Sequence, residues 1–211
     1  MTRAGDAGVF VPLESLVEDF LSLDRDGFLA EHPDAVLVFD ELELGDDPGF
    51  QTLAKKPASK DATTRSARDR LLDRLQGDEG KKWVFPLRRG AKFASMITIG
   101  RAANNALRLN VPSVSKFHAY FTYVAREGCW YLADANSSNG TFIDGQDLPP
   151  SHGKVPLKDG ASLRFGPDVT ARFHEAAALW ELLQGYLNSG SGVLKLPSRD
   201  GPAGADPAAG G

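Results

Sequence analysis

The sequence predicts an all-β sandwich flanked by helical segments, and two observations predict it. Between Trp83 and Phe173, eight short apolar or alternating runs follow one another: "WVFPL", "SMITIG", "NALRLN", "HAYFTYVA", "CWYLAD", "GTFIDG", "SLRFG" and "VTARF". Turn signals separate them at intervals of about 8–12 residues, the spacing of sandwich strands. These signals include Arg88-Arg89-Gly90, Asn104-Asn105, Asn139-Gly140, Asp144-Gly145 and Asp159-Gly160.

On either side of this region the period changes. Leu13, Leu16, Val17, Phe20 and Leu21 recur at helical spacing behind Pro12, a residue tolerated in a first turn, so residues 12–23 read as an amphipathic helix. "RDGFLAEHPD" reads as a second short helix stopped by Pro33. Val36 to Phe39 fits either a buried strand or one helical turn. Residues 45–65 are rich in Gly, Pro, Lys, Ser and Thr without period and read as linker. "SARDRLLDRLQGDEG" then offers a charged helical stretch with only Leu71, Leu72 and Leu75 to bury. After Phe173, Leu179, Leu182, Leu183, Tyr186 and Leu187 share one face of a helix. The Gly, Ser, Pro and Ala tail from Ser189 has too little to bury to order itself.

The resulting organisation is an acidic, mainly helical segment at 1–44 and a basic linker with a short helix at 45–80. A sandwich with its C-terminal helix follows at 81–188, and a disordered tail at 189–211. The apolar stripes at 12–23 and 179–187 are available to dock onto the sandwich or onto a partner.

Composition narrows the function. No apolar run reaches the roughly 18 residues of a spanning helix. The single cysteine, Cys129, excludes an internal disulfide framework and a Cys-rich zinc site, which points to a reducing, cytoplasmic location. The formal charge of −4 is unevenly spread. Residues 1–50 hold thirteen acidic and two basic side chains, residues 51–92 twelve basic and five acidic, and the remainder ten of each. The basic segment carries only Trp83 and Phe85 as interleaved aromatics, so nucleic-acid binding ranks low.

Three loops of the β region concentrate polar chemistry. "IGRAANNA" supplies Arg101, Asn104 and Asn105; "VPSVSKFHA" supplies Ser113, Ser115, Lys116 and His118; "DANSSNGTF" supplies Asp134, Asn136, Ser137, Ser138, Asn139 and Thr141. They contain neither a catalytic triad nor metal-ligand spacing, and the remaining histidines (His32, His152, His174) are scattered. The chain is therefore expected to be no enzyme and to use no metal or cofactor. A guanidinium, an ammonium, hydroxyls and amides on loops are instead the parts of an oxyanion receptor. Asn139-Gly140 reads as a tight hairpin turn.

These loops resemble the forkhead-associated (FHA) domain, a family of Greek-key β-sandwiches that bind phosphothreonine peptides. The resemblance runs over about residues 83–173. It rests on Gly100-Arg101, Ser115-Lys116-Phe117-His118, Asp134 with Ser137-Ser138-Asn139-Gly140-Thr141-Phe142, and Asp159-Gly160 with Phe165-Gly166. It implies that Arg101 and Ser115 hold phosphate with help from Lys116 and Ser138, and that Asn139 bonds the peptide backbone. Gly100, His118, Gly140 and Thr141 would be structural support, His118 as a buried brace. Ala106 and Ala161 depart from the family's frequent acidic residues, and Lys116 replaces a frequent Arg.

The expected function is a phosphothreonine-binding adaptor in Ser/Thr kinase signalling. Its partner is a phosphothreonine-containing protein, with a phosphorylated Thr63 or Thr64 of the linker as a candidate self-ligand. One alternative is an FHA-like interaction protein that works without phosphate through its sheet face or N-terminal helices; another is nucleic-acid binding through 51–92.

Overall fold

The computed structural model describes residues 10–39, 67–69, 71–72, 82–88 and 96–188. The 45–65 linker, Thr63 and Thr64 within it, and the 189–211 tail lie outside the described residues.

Two sheets face each other. The seven-stranded sheet runs β1 (Val11–Pro12), β3 (Trp83–Pro86), β2 (Val36–Phe39), β12 (Val169–His174), β11 (Ser162–Phe165), β8 (Thr141–Ile143) and β9 (Gln146–Asp147). The five-stranded sheet runs β10 (Val155–Pro156), β7 (Cys129–Asp134), β6 (Ala119–Val124), β4 (Ile97–Gly100) and β5 (Leu107–Arg108). Neighbours are antiparallel except β4 and β5, which are parallel. Each of the eight runs picked out by period 2 supplies a strand.

Alternation assigns the faces. Leu37, Phe39 and Phe85 point inward with Ile99, Phe121, Leu132, Leu163, Phe165 and Phe173, forming the core between the sheets. The ring of Phe10 closes one edge, meeting Phe39 and Phe85 edge-on at 5.5 Å each. Val36 and Val84 face the other way, into a second core built by three helices. These are α1 (Leu13–Ser22), α2 (Arg25–Glu31) and α3 (Ala176–Asn188). Leu13, Leu16, Val17 and Phe20 of α1 meet Leu179, Trp180 and Leu183 of α3 there. The Trp180 ring lies 4.5 Å from Phe20 and 5.2 Å from Phe28. Both apolar stripes are thus buried against each other and the sheet.

Helical residues 67–69 and 71–72 add Leu71 and Leu72 to this second core, and Arg68 Nε donates to Glu18 Oε1 at 3.1 Å.

The sandwich is not confined to residues 81–188. Val36–Phe39 is a strand, and it pairs with Trp83–Pro86 on one side and Ala171–His174 on the other. The sequence boundary at residue 44 therefore separates an interior strand from its own sheet. A four-residue apolar run carries no period, and only its position between two partners makes it β.

Candidate functional site

The three polar loops converge at one end of the sandwich, where β4 hands over to β5, the chain enters β6, and β7 crosses to β8. Gly100 closes β4. A Cβ there would stand 2.5 Å from the Lys116 carbonyl oxygen, so the two loops pack at a distance that excludes any side chain. Around this contact the backbones are stitched together. Arg101 N donates to Ser115 O at 2.9 Å and Ala102 N to Lys116 O at 3.1 Å. Asn105 Nδ2 donates to Lys116 O at 2.7 Å and to Ala102 O at 2.9 Å. Where an acidic residue is frequent, Ala106 instead gives its N–H to Thr98 Oγ1 at 3.0 Å.

Arg101 leaves this junction half-buried, its Nε donating to Val114 O at 3.3 Å. Among the described residues, no hydrogen bond or ion pair occupies its terminal nitrogens, and Lys116 forms no ion pair. Ser115 faces Ser138 across the site. Ser138 N donates to Ser115 Oγ at 3.0 Å, and the two hydroxyl oxygens are 3.4 Å apart. Ser138 and Asn139 are exposed; Asn139 Nδ2 donates to Ser113 O at 2.8 Å, tying its loop to the one that carries Ser115.

Beneath these groups lies His118, with no exposed surface. Ser115 N donates to its Nδ1 at 3.0 Å, which makes Nδ1 the acceptor nitrogen. Its Nε2 then carries the proton and donates to Gly140 O at 3.1 Å. Burial holds the imidazole below its usual 6.5, against the smaller opposing effects of the Gly140 carbonyl and the Asp134 charge. His118 is neutral at pH 7 and bridges the two loops.

Asp134 organises the third loop. Its buried carboxylate accepts from Ser137 N at 2.9 Å, Ser137 Oγ at 2.7 Å and Thr141 Oγ1 at 2.6 Å. The loop is consequently not a hairpin. β7 and β8 belong to different sheets, and Asn139 does not adopt a positive φ although Gly140 does, at 77°. The hairpin with two left-handed residues is Asp144-Gly145, at φ 50° and 78°, joining β8 to β9. Asn-Gly and Asp-Gly are equivalent turn signals in sequence, and the cross-sheet passage of the first is decided by Asp134 and its three donors.

Asp134 and Asn105 are the site-building residues whose part the motif reading left unassigned. The spacing of Asp134 and Ser137, an acidic side chain capping an N–H three residues on, is the signal that finds the first. Chemically, the arrangement offers a guanidinium, an ammonium and two hydroxyls without a carboxylate exposed among them. Among the described residues, no group of three His, Cys, Asp or Glu side chains is placed to hold a metal, and no helix is long and apolar enough to cross a membrane.

Comparison with known proteins points the same way. The family model for the FHA domain matches residues 97–166. The E3 ubiquitin-protein ligase DMA2 of Saccharomyces cerevisiae is 41% identical over 58 residues, covering 26% of this chain and 11% of the ligase. The sarcolemmal membrane-associated protein of Homo sapiens is 33% identical over 82 residues, covering 37% of this chain and 10% of the relative. The chain thus matches only about a tenth of the length of either. An FHA domain from a structural and functional analysis of phosphothreonine-dependent FHA domain interactions superimposes with a TM-score of 0.39 and 19% identity. That match covers 67% of this chain and 95% of the other. The stretch matched by the FHA family model contains all three polar loops.

Proposed function

We propose that this chain is a phosphothreonine-dependent adaptor, a non-enzymatic reader of partners phosphorylated in Ser/Thr kinase signalling, working in the cytoplasm. FHA domains are phosphothreonine-dependent interaction modules, and the observation that carries the reading here is the Arg101–Ser115–Ser138 cluster. A fork with free terminal nitrogens stands beside two hydroxyls whose backbones are already fixed. Arg101 and Ser115 take the phosphate oxygens, Lys116 adds a point charge and Ser138 a further donor. Asn139 keeps its amide oxygen for a peptide N–H while its nitrogen holds Ser113. Gly100, His118, Gly140 and Thr141 keep the loops at their spacing.

Charge-assisted hydrogen bonds contribute roughly 1.5–3 kcal/mol each. Two or three of them, less the cost of ordering a peptide, suit a dissociation constant on the order of micromolar. Ligase activity and membrane association, which the relatives' names carry, are not extended to this chain, because the matches cover little beyond the FHA stretch.

A phosphorylated Thr63 or Thr64 of the linker is a second candidate ligand beside a partner in trans, and titration with a phosphorylated peptide of residues 58–70 tests it.

The deciding experiment is calorimetric titration of the full chain with one degenerate peptide pool in phosphothreonine, phosphoserine and unphosphorylated forms. Selective binding of the first, lost in Arg101→Ala, is the expected result. Equal binding of all three would replace this reading with a phosphate-independent interaction protein.

A further inference from the structure

The two outer faces of the sandwich are treated differently. Three helices cover one end of the seven-stranded sheet, whereas no described element covers the outer face of the five-stranded sheet. On that uncovered face, directly after Lys116, stands Phe117, which is 45% exposed. Its ring lies parallel to that of Tyr120, with centroids 6.2 Å apart and an interplanar angle of 14°. Tyr120 faces Thr98 on one side and Ala133 on the other. Because both neighbours are small, the two aromatic rings stand above the sheet as a ledge. Met96, 39% exposed, continues the same face, lying opposite Thr122 by the register of β4 and β6.

A single exposed aromatic is ordinary on a protein surface. This one differs in position and preparation. The Lys116 carbonyl accepts from Ala102 N and Asn105 Nδ2, and the next residue but one, His118, is locked between Ser115 and Gly140. The backbone that carries Phe117 is therefore held by the same bonds that shape the receptor, so the ledge needs little reordering to receive a ligand.

We infer that the Phe117–Tyr120 ledge is a specificity subsite of the phosphopeptide receptor, taking an apolar side chain that flanks the phosphothreonine. The inference rests on the phosphothreonine reading above. Phe117 is two residues from Ser115, so its ring is within roughly 7–13 Å of the phosphate position, the span of two to four residues of extended peptide. A flat pair of rings accepts an aromatic or aliphatic side chain by stacking and area burial, and a carboxylate gains nothing from the ring faces. The ligand class is thus a phosphothreonine peptide with a Phe, Leu, Met or Pro at one fixed flanking position.

The test uses the full chain and alanine-based phosphothreonine peptides. Each of the four residues on either side of the phosphothreonine is replaced in turn by Phe, Leu, Ser or Asp. One position should emerge at which Phe or Leu binds about 5- to 10-fold more tightly than Ser, and Phe117→Ser should erase that gain. The same variant should keep the preference for phosphothreonine over threonine. An apolar preference that survives Phe117→Ser, or no such preference in the wild type, overturns the subsite while leaving the receptor standing. Failure of the wild type to distinguish phosphothreonine from threonine peptides overturns the receptor and the subsite together. Sedimentation of wild type and Phe117→Ser completes the test. A dimer that dissociates on substitution, without apolar selection, assigns the ledge to a second copy of the chain and overturns the proposal.

Discussion

His118 and Gly140 are joined by a hydrogen bond of 3.1 Å between Nε2 and the carbonyl oxygen, although 22 residues separate them. The same ring accepts from Ser115 N on its other side, so one imidazole sets the distance between two of the three receptor loops. Replacing it leaves two part-buried backbone groups, Ser115 N–H and Gly140 C=O, without this partner. His118→Ala should destabilise the chain by about 2–4 kcal/mol, read as a shift of the urea midpoint, and weaken phosphopeptide binding even where the variant remains folded.

The pH dependence of that brace follows from its direction of shift. Burial holds His118 below 6.5 in the native state, whereas the unfolded chain titrates near 6.5. The unfolded state therefore binds more protons between those values. The contribution of neutral His118 is complete above about pH 6.5 and is lost as pH falls from there through the native value. Protonation at Nδ1 sets an N–H against the N–H of Ser115. Denaturation midpoints measured from pH 8 to 5 should decline over this window in the wild type and less steeply in His118→Gln.

Arg101→Ala should cost on the order of 2–5 kcal/mol in phosphopeptide binding. Among the described residues its side chain bonds only Val114 O, so the melting temperature should change little. Arg101→Lys should recover only part of the loss, because an ammonium cannot reproduce the fork. Calorimetry on both variants checks this, and full affinity in the lysine form would argue against bidentate recognition.

Gly100→Ala should damage the receptor without touching a ligand group. The added methyl would lie 2.5 Å from Lys116 O and 2.9 Å from Asn105 Nδ2. Neither can retreat without breaking the bonds that hold Ala102 to Lys116. A loss of roughly tenfold or more in phosphopeptide affinity is expected, about 1.4 kcal/mol or above, with far-ultraviolet circular dichroism unchanged.

Removing residues 1–80 should abolish folding. It withdraws β2 from between β3 and β12 and exposes Val84, Leu179, Trp180 and Leu183 by removing the helices that cover them. Expression of 81–211 beside the full chain, compared by circular dichroism and one-dimensional proton NMR, checks this.

The legible part of the fold was what repeats. Period-2 runs such as Ala119–Val124 and helical spacing in Leu13–Ser22 declare themselves because burial on one face leaves a pattern. Val11–Pro12, Gln146–Asp147 and Val155–Pro156 did not, since two residues have no period and are strands only by virtue of a partner. The order of motifs was enough to nominate Arg101, Ser115 and Ser138, which the fold brings to one place. It was not enough to separate Asn139-Gly140 from Asp144-Gly145, because the difference lies in which sheet receives the following strand. Asn105 was invisible as a builder for the same reason: its amide is defined by the Lys116 carbonyl, eleven residues away.

The pairing of β2 with both β3 and β12 also has a temporal side. Val36 opposes His174, so the strand that begins at Val36 waits for a neighbour made more than a hundred residues later, a separation of about 140 positions. Closing so long a loop makes contact order high and folding slow. During translation, Val36–Phe39 and the apolar stripe of α1 emerge with neither β12 nor α3 to cover them. Chains interrupted before Val169 would carry every receptor residue yet lack the strand that closes the sheet. A prematurely terminated product should consequently be a substrate for chaperones and proteases, not a partial reader competing with the intact one.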